Sequence, residues 1–74
     1  MPAYDPKLTA RLKATGAAIR SARGELGISQ EELAHRAGVH RTYVGAVERG
    51  ERNISIGSLY ALADALEISP GELL

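Results

Sequence analysis

The sequence predicts an all-α fold, a compact five-helix bundle that contains a helix-turn-helix. Three observations lead there. No stretch alternates apolar and polar residues for long enough to form a strand. Apolar side chains recur three and four positions apart in segments that end at Gly27, Gly38 and Gly50. Two of those segments are joined only by Ala37-Gly38-Val39-His40, a connection too tight to leave the helices as antiparallel neighbours. With 74 residues, 45% of them apolar, there is material for one core and one domain, spanning 1–74. A domain this small buries only about 60% of its unfolded surface, which leaves a place for a partner subunit.

The first helix is expected over about Lys7–Leu26, with Leu8, Leu12, Ile19, Ala22 and Leu26 along one face. Pro2 and Pro6 confine any tail to the residues before it. Gly16 and Gly24 each weaken the helix by about 1 kcal/mol relative to alanine. Gly27 stops it as a residue that tolerates positive φ. Ser29 caps a second helix, Gln30–Ala37, and Glu32 completes a capping box; Leu33 and Ala37 mark its inner face. The third helix runs from about Arg41 to Arg49, with Val44 and Val47 inward and Tyr43 and Ala46 beside them. Beyond a loop from Gly50 to Ser55, Leu59, Leu62, Ala63 and Leu66 form the stripe of a fourth helix, and Tyr60, Asp64 and Glu67 point elsewhere. Ser69 and Pro70 open a short fifth element, with serine as N-cap and proline in the first helical position.

Composition narrows the function. There are no cysteines, so disulfides, Cys-ligated zinc and thiol nucleophiles are all excluded. Two histidines, His35 and His40, are too few for a His-rich metal site, and no metal or other cofactor is expected. No apolar run approaches the roughly 20 residues of a membrane span. The first residues lack the apolar core of a signal peptide, so a soluble, cytoplasmic chain is expected. Three tyrosines, Tyr4, Tyr43 and Tyr60, offer no stacking platform for single strands. No nucleophile–base pair, carboxylate pair or phosphate loop suggests an enzyme. Net charge is zero, but its distribution is uneven: residues 1–53 hold all nine bases and six acids, whereas residues 54–74 hold three acids and no base. One end is therefore suited to a polyanion and the other to a different task.

The segment from Gln30 to Arg49 is the informative one. Ala34 is small where two helices must approach closely, Gly38 supplies the turn, and Leu33, Val39, Val44 and Val47 are apolar where they must face inward. A plain helical hairpin would share some of these features; their joint occurrence favours a helix-turn-helix with motif 30–49. Residues 15–73 resemble the Cro/CI-type (XRE-like) helix-turn-helix family, a lambda-repressor-like DNA-binding fold, through the phrase Leu26-Gly-Ile-Ser-Gln-Glu-Glu-Leu-Ala34. The phrase His40-Arg-Thr-Tyr-Val-Gly-Ala-Val-Glu-Arg-Gly-Glu-Arg-Asn53 is similar to the controller proteins of restriction–modification systems, whose short length also matches.

The resemblance implies a dimeric regulator of transcription that binds double-stranded DNA at a palindromic operator, nucleoid-associated when bound. In such folds the third helix enters the major groove with its N-terminal residues at the base edges. Arg41 can reach two guanine acceptors and Thr42 a thymine methyl. Gly45, one turn on, presents no side chain and would serve close approach; related proteins often carry a polar residue there. Gln30 is implied as a phosphate contact at a helix N-terminus. Arg49, Arg52 and Asn53 would grip phosphates, with base contact as an alternative for Arg52 and a helix-dipole role as an alternative for Arg49. Tyr43 either packs at the core edge or touches a phosphate through its hydroxyl. His40 replaces the aspartate that related controllers often place at this N-cap. Arg23 and Glu48 match the buried ion pair that links helices one and three in the repressor family.

Residues 54–74 are expected to carry dimerisation, with Ile68, Pro70 and Leu73 near the two-fold axis; the alternative is that Ile54, Ile56, Ile68, Leu73 and Leu74 merely close the core. Two copies would set recognition helices about 34 Å apart, one turn of DNA. No ligand-binding domain for a small-molecule effector is evident. A second function class remains open: an antitoxin-like or co-activator helix-turn-helix whose main partner is a protein.

Overall fold

In the computed structural model, which describes residues 5–74, four α-helices enclose one core: α1 (Pro6–Leu26), α2 (Gln30–Ala37), α3 (Arg41–Glu48) and α4 (Ile56–Leu66). The short tail expected before Pro6 falls mostly on residues 1–4, outside the described part. The expected fifth helix is instead a single 3-10 turn, Pro70–Leu73. Four residues are too few to build an α-helical ladder, and Glu72 N–H closes back on the Ser69 carbonyl at 3.0 Å.

Local chemistry sets each boundary. Asp5 accepts from Lys7 N–H (2.7 Å) with Pro6 in the first turn, so α1 starts at a true N-cap. Ser29 Oγ accepts from Glu32 N–H (3.0 Å), but the reciprocal half of the expected capping box is missing. Glu32 turns instead to Arg36, one helical turn on, at 2.8 Å. That hydrogen bond, more than the charge attraction alone, holds the Glu32 carboxyl below its usual range. Gly38, at φ 72, ends α2 and aims the chain into α3. The α3 N-cap, His40, makes no side-chain capping bond.

The core joins Ile19 of α1, Leu33 and Ala34 of α2, Val44 and Val47 of α3, and Leu59, Leu62, Ala63 and Leu66 of α4. Two expectations for α1 need correction. Leu26 is exposed, and Thr15 and Gly16 join Leu12 and Ile19 as the buried residues of the inward face, with Ala22 half-buried against the core. Gly16 is more than a weak point in the helix. A Cβ built there would lie 2.6 Å from the Glu48 carbonyl oxygen and nearer still to that of Val47. The bare backbone at Gly16 thus lets the C-terminal end of α3 rest directly on α1.

The 3-10 turn folds back on the core, and Leu73 is only 2% exposed. Its expected place at a dimer axis is therefore corrected: the monomer's own core already uses this side chain. Ile54 and Ile68 pack half-buried against the core, whereas Ile56, Tyr60 and Leu74 stand exposed.

Candidate nucleic-acid interface

The interface is built on the first turn of α3. Arg41 and Thr42 are both exposed there, on a helix whose opposite face is fixed by the buried Val44 and Val47. Because α2 meets α3 through the three-residue turn Gly38-Val39-His40, the N-termini of both helices come to one surface. A shallow concavity between them gathers Ser29, Gln30, Glu31 and Arg41. A second concavity on the other flank of α3 gathers His40, Thr42, Tyr43, Ala46, Arg52 and Ser58. Unpaired amide N–H groups at helix starts and cationic side chains at these positions suit the phosphates on either side of a groove.

Arg52 stands with its guanidinium carbon 5.1 Å from the centre of the Tyr43 ring, within cation–π range. The loop cation is thereby held beside α3. Asn53 is exposed next to it. Ser58 was not anticipated from sequence. Its only signal was a place in the first turn of α4, where its N–H donates to Ser55 Oγ at 3.0 Å and the residue lines the same concavity as Arg52.

Gln30 is half-buried, and its amide Nε2 donates to Glu48 Oε1 at 3.0 Å. Glu48, with its side chain 3% exposed, also takes two bonds from Arg23, from Nε at 2.8 Å and from Nη2 at 3.2 Å. Arg23 Nη1 donates in turn to the Ile28 carbonyl at 3.0 Å. Its hydrogen bonds to Glu48 hold the guanidinium above its ordinary pKa despite burial. One carboxylate therefore ties α1, α2 and α3 together, and Gln30 is oriented from within.

Gly45 differs from expectation. It is buried, because the Arg49 and Gln30 side chains roof it. A Cβ there would meet Arg49 Nη1 at 3.2 Å and the Gln30 amide at 3.7 and 3.8 Å. Arg49 itself is exposed and pairs with Glu51 through Nε at 3.1 Å. Ile68 and Pro70, expected at a dimer axis, are both half-buried and lie away from the α3 surface, in and before the 3-10 turn. Among the described residues no cluster of three potential ligands could hold a metal ion, and no helix is long and apolar enough to cross a membrane.

Comparison with known proteins agrees with this geometry. The helix-turn-helix family profile matches residues 19–73. The chain is 50% identical over 56 residues to the control protein C.SmaI of Serratia marcescens, covering 76% of this chain and 67% of the relative. The crystal structure of the restriction–modification controller protein C.AhdI from Aeromonas hydrophila superposes with a TM-score of 0.86 at 48% identity, covering 88% of this chain and 98% of that one. The controller protein C.Esp1396I, solved as a tetramer on its natural 35 base-pair operator, is similar at a TM-score of 0.76 and 37% identity, covering 80% of this chain and 78% of that one.

Proposed function

The chain belongs to the helix-turn-helix family, and from that premise we propose that it is a restriction–modification controller: a sequence-specific transcription regulator that binds double-stranded DNA at a palindromic operator as a homodimer. The observation that carries this reading is the surface of α3. Exposed Arg41 and Thr42 lie between two concavities that hold Gln30 on one side and Arg52 on the other. Base-reading groups are thus flanked by phosphate-gripping ones. The similarity to C.SmaI and C.AhdI supports the controller class. The structure of C.Esp1396I on its operator supports assembly on DNA.

In this mechanism Arg41 offers its guanidinium fork to guanine O6 and N7, and Thr42 its methyl group to a thymine. Gln30 and the N-terminus of α2 meet one phosphate; Arg52, Asn53 and the Tyr43 hydroxyl meet others. Arg23 and Glu48 touch no DNA and hold the elements in register. Residues 54–74 supply the dimer contact through exposed Ile56, Tyr60 and Leu74, with Ile68 and Pro70 at its margin. Response to protein concentration through dimerisation takes the place of a small-molecule effector. No catalytic role or cofactor is assigned, and the site of action is the cytoplasm and nucleoid.

The test is selection of bound duplexes from a random-sequence pool, followed by titration at several salt concentrations. A regulator recovers a two-fold symmetric motif and binds it with a steep salt dependence. Recovery of no motif, with no preference over random duplex, would sink the reading and favour a helix-turn-helix that serves a protein partner. Arg52→Ala should weaken binding to selected and random duplexes alike and lower the salt slope by roughly one unit. An unchanged slope would show that Arg52 neutralises no phosphate.

A further inference from the structure

We propose that Arg49 is a base-reading residue, and that Gly45 is the feature that lets it read. This rests on the DNA-binding reading above and extends it to a specificity determinant. Side chains on a helix lean toward its N-terminus, so each covers the turn before its own Cα. Arg49 follows α3 as its C-cap residue, and the turn it covers is the one at Gly45. The guanidinium lies there: Nη1 is 3.2 Å from the point a Gly45 Cβ would occupy. Gly45 shares the outer face of α3 with Arg41. The cation therefore stands where the side chain of residue 45 would stand, one turn along from Arg41 on the surface offered to the groove.

The pairing pattern fits a reader. Glu51 engages Arg49 at Nε, and the 3.1 Å contact fixes that edge of the guanidinium. Among the described residues, no hydrogen bond is donated by Nη1 or Nη2 of Arg49. The two terminal nitrogens form the fork that matches guanine O6 and N7. Gln30, held by Glu48, closes the other side of the same roof, with its Oε1 3.7 Å from the Gly45 Cβ position. A phosphate clamp at a helix end would need none of this cover over Gly45. A side chain at position 45 that reaches beyond Cβ competes for the space that the guanidinium now fills.

The experiment repeats the duplex selection with the full chain and with Arg49→Ala, Arg49→Lys, Gly45→Ser and the double variant Gly45→Ser/Arg49→Ala. The proposal expects Arg49→Ala to lose a guanine preference at one base pair per half-site, with about tenfold weaker binding to the wild-type motif and little change on random duplex. Arg49→Lys should keep random-duplex affinity and salt slope but lose the same preference, because charge is retained without the fork. Gly45→Ser should lose it at that same base pair, and the double variant should bind no worse than the weaker single one. Circular dichroism melting shows that each variant is folded.

Two results would overturn the proposal alone. One is an unchanged motif in Arg49→Ala. The other is an equal loss on all duplexes with a shallower salt slope, which would make Arg49 a phosphate clamp. Independent, multiplying losses from Gly45→Ser and Arg49→Ala would remove the role given to Gly45. A wild-type protein that selects no motif would overturn the regulator reading and this proposal together.

Discussion

At the residue scale, position within α3 separates reading from holding. Arg41 is exposed at the helix start, while Glu48, seven residues on, is nearly sealed from water. Arg41→Ala should cost about 1–3 kcal/mol of specific binding and relax the preference at one base pair per half-site. Equal losses on the selected motif and on random duplex would refute base reading. Arg23 should behave differently. Arg23→Leu leaves the Glu48 carboxylate buried with only the Gln30 amide to bond it. Urea unfolding should show a loss of about 3–5 kcal/mol, largely restored when Glu48 is also replaced by Leu. A single variant as stable as wild type would show that the pair does not hold the fold. The exposure of Arg41 and Thr42 was legible from their place just after the turn. The roof over Gly45 was not, because its other half is Gln30, fifteen residues earlier in the chain, which is aimed by Glu48, itself held by Arg23. The stacking of Arg52 on Tyr43 is likewise a meeting of loop and helix that no spacing rule announces.

At the element scale, helix starts and stops were legible wherever one residue decides them. The range Gln30–Ala37 follows from Ser29 and Gly38, and the turn after it from the chain's shortness there. The end of α4 shows the limit. Its cap is Glu67, left-handed at φ 62 without being glycine, and its N–H nonetheless bonds back to the Ala63 and Asp64 carbonyls. Packing of Leu66 and Ile68 on the core sets that turn rather than residue preference. Gly16 shows the opposite bias: local propensity treats it as a defect, and the tertiary contact makes it a requirement. Gly16→Ala should raise the intrinsic helicity of α1 by about 1 kcal/mol. It nevertheless drives a methyl against the last carbonyls of α3. Overpacking of this kind costs about 1–3 kcal/mol, so thermal melting should show no net gain, and DNA binding should weaken as α3 shifts. A more stable protein with unaltered binding would mean that the two helices separate freely there.

At the scale of the whole molecule, the division between core and partner surface had to be redrawn. Sequence placed five apolar residues in the C-terminal third and could not allot them, since a 3-10 turn that folds inward and a tail that reaches outward look alike in one dimension. The fold allots them: Leu73 is 2% exposed and Ile54 and Ile68 lie half-buried on the core, while Ile56 is 67% and Leu74 82% exposed, joined by Tyr60 at 55%. Ile56 and Tyr60 lie one turn apart on α4, so they share a face that the monomer leaves in water. No base occurs in residues 54–74, so this end offers DNA little and a second copy an apolar contact. Leu73→Glu should therefore unfold the monomer, because it places a carboxylate in the buried core cluster that Leu73 shares with the four helices. Tyr60→Glu and Leu74→Glu should behave otherwise, keeping the helical circular dichroism signal while sedimentation shifts from dimer to monomer. Binding to a palindromic duplex should then fall steeply and binding to a single half-site little, since two linked half-sites no longer engage together. Retained dimers in both exposed variants would place the interface elsewhere. A wild-type chain that sediments as a monomer well above its DNA-binding concentration, on the palindrome as well as off it, would end the dimer model.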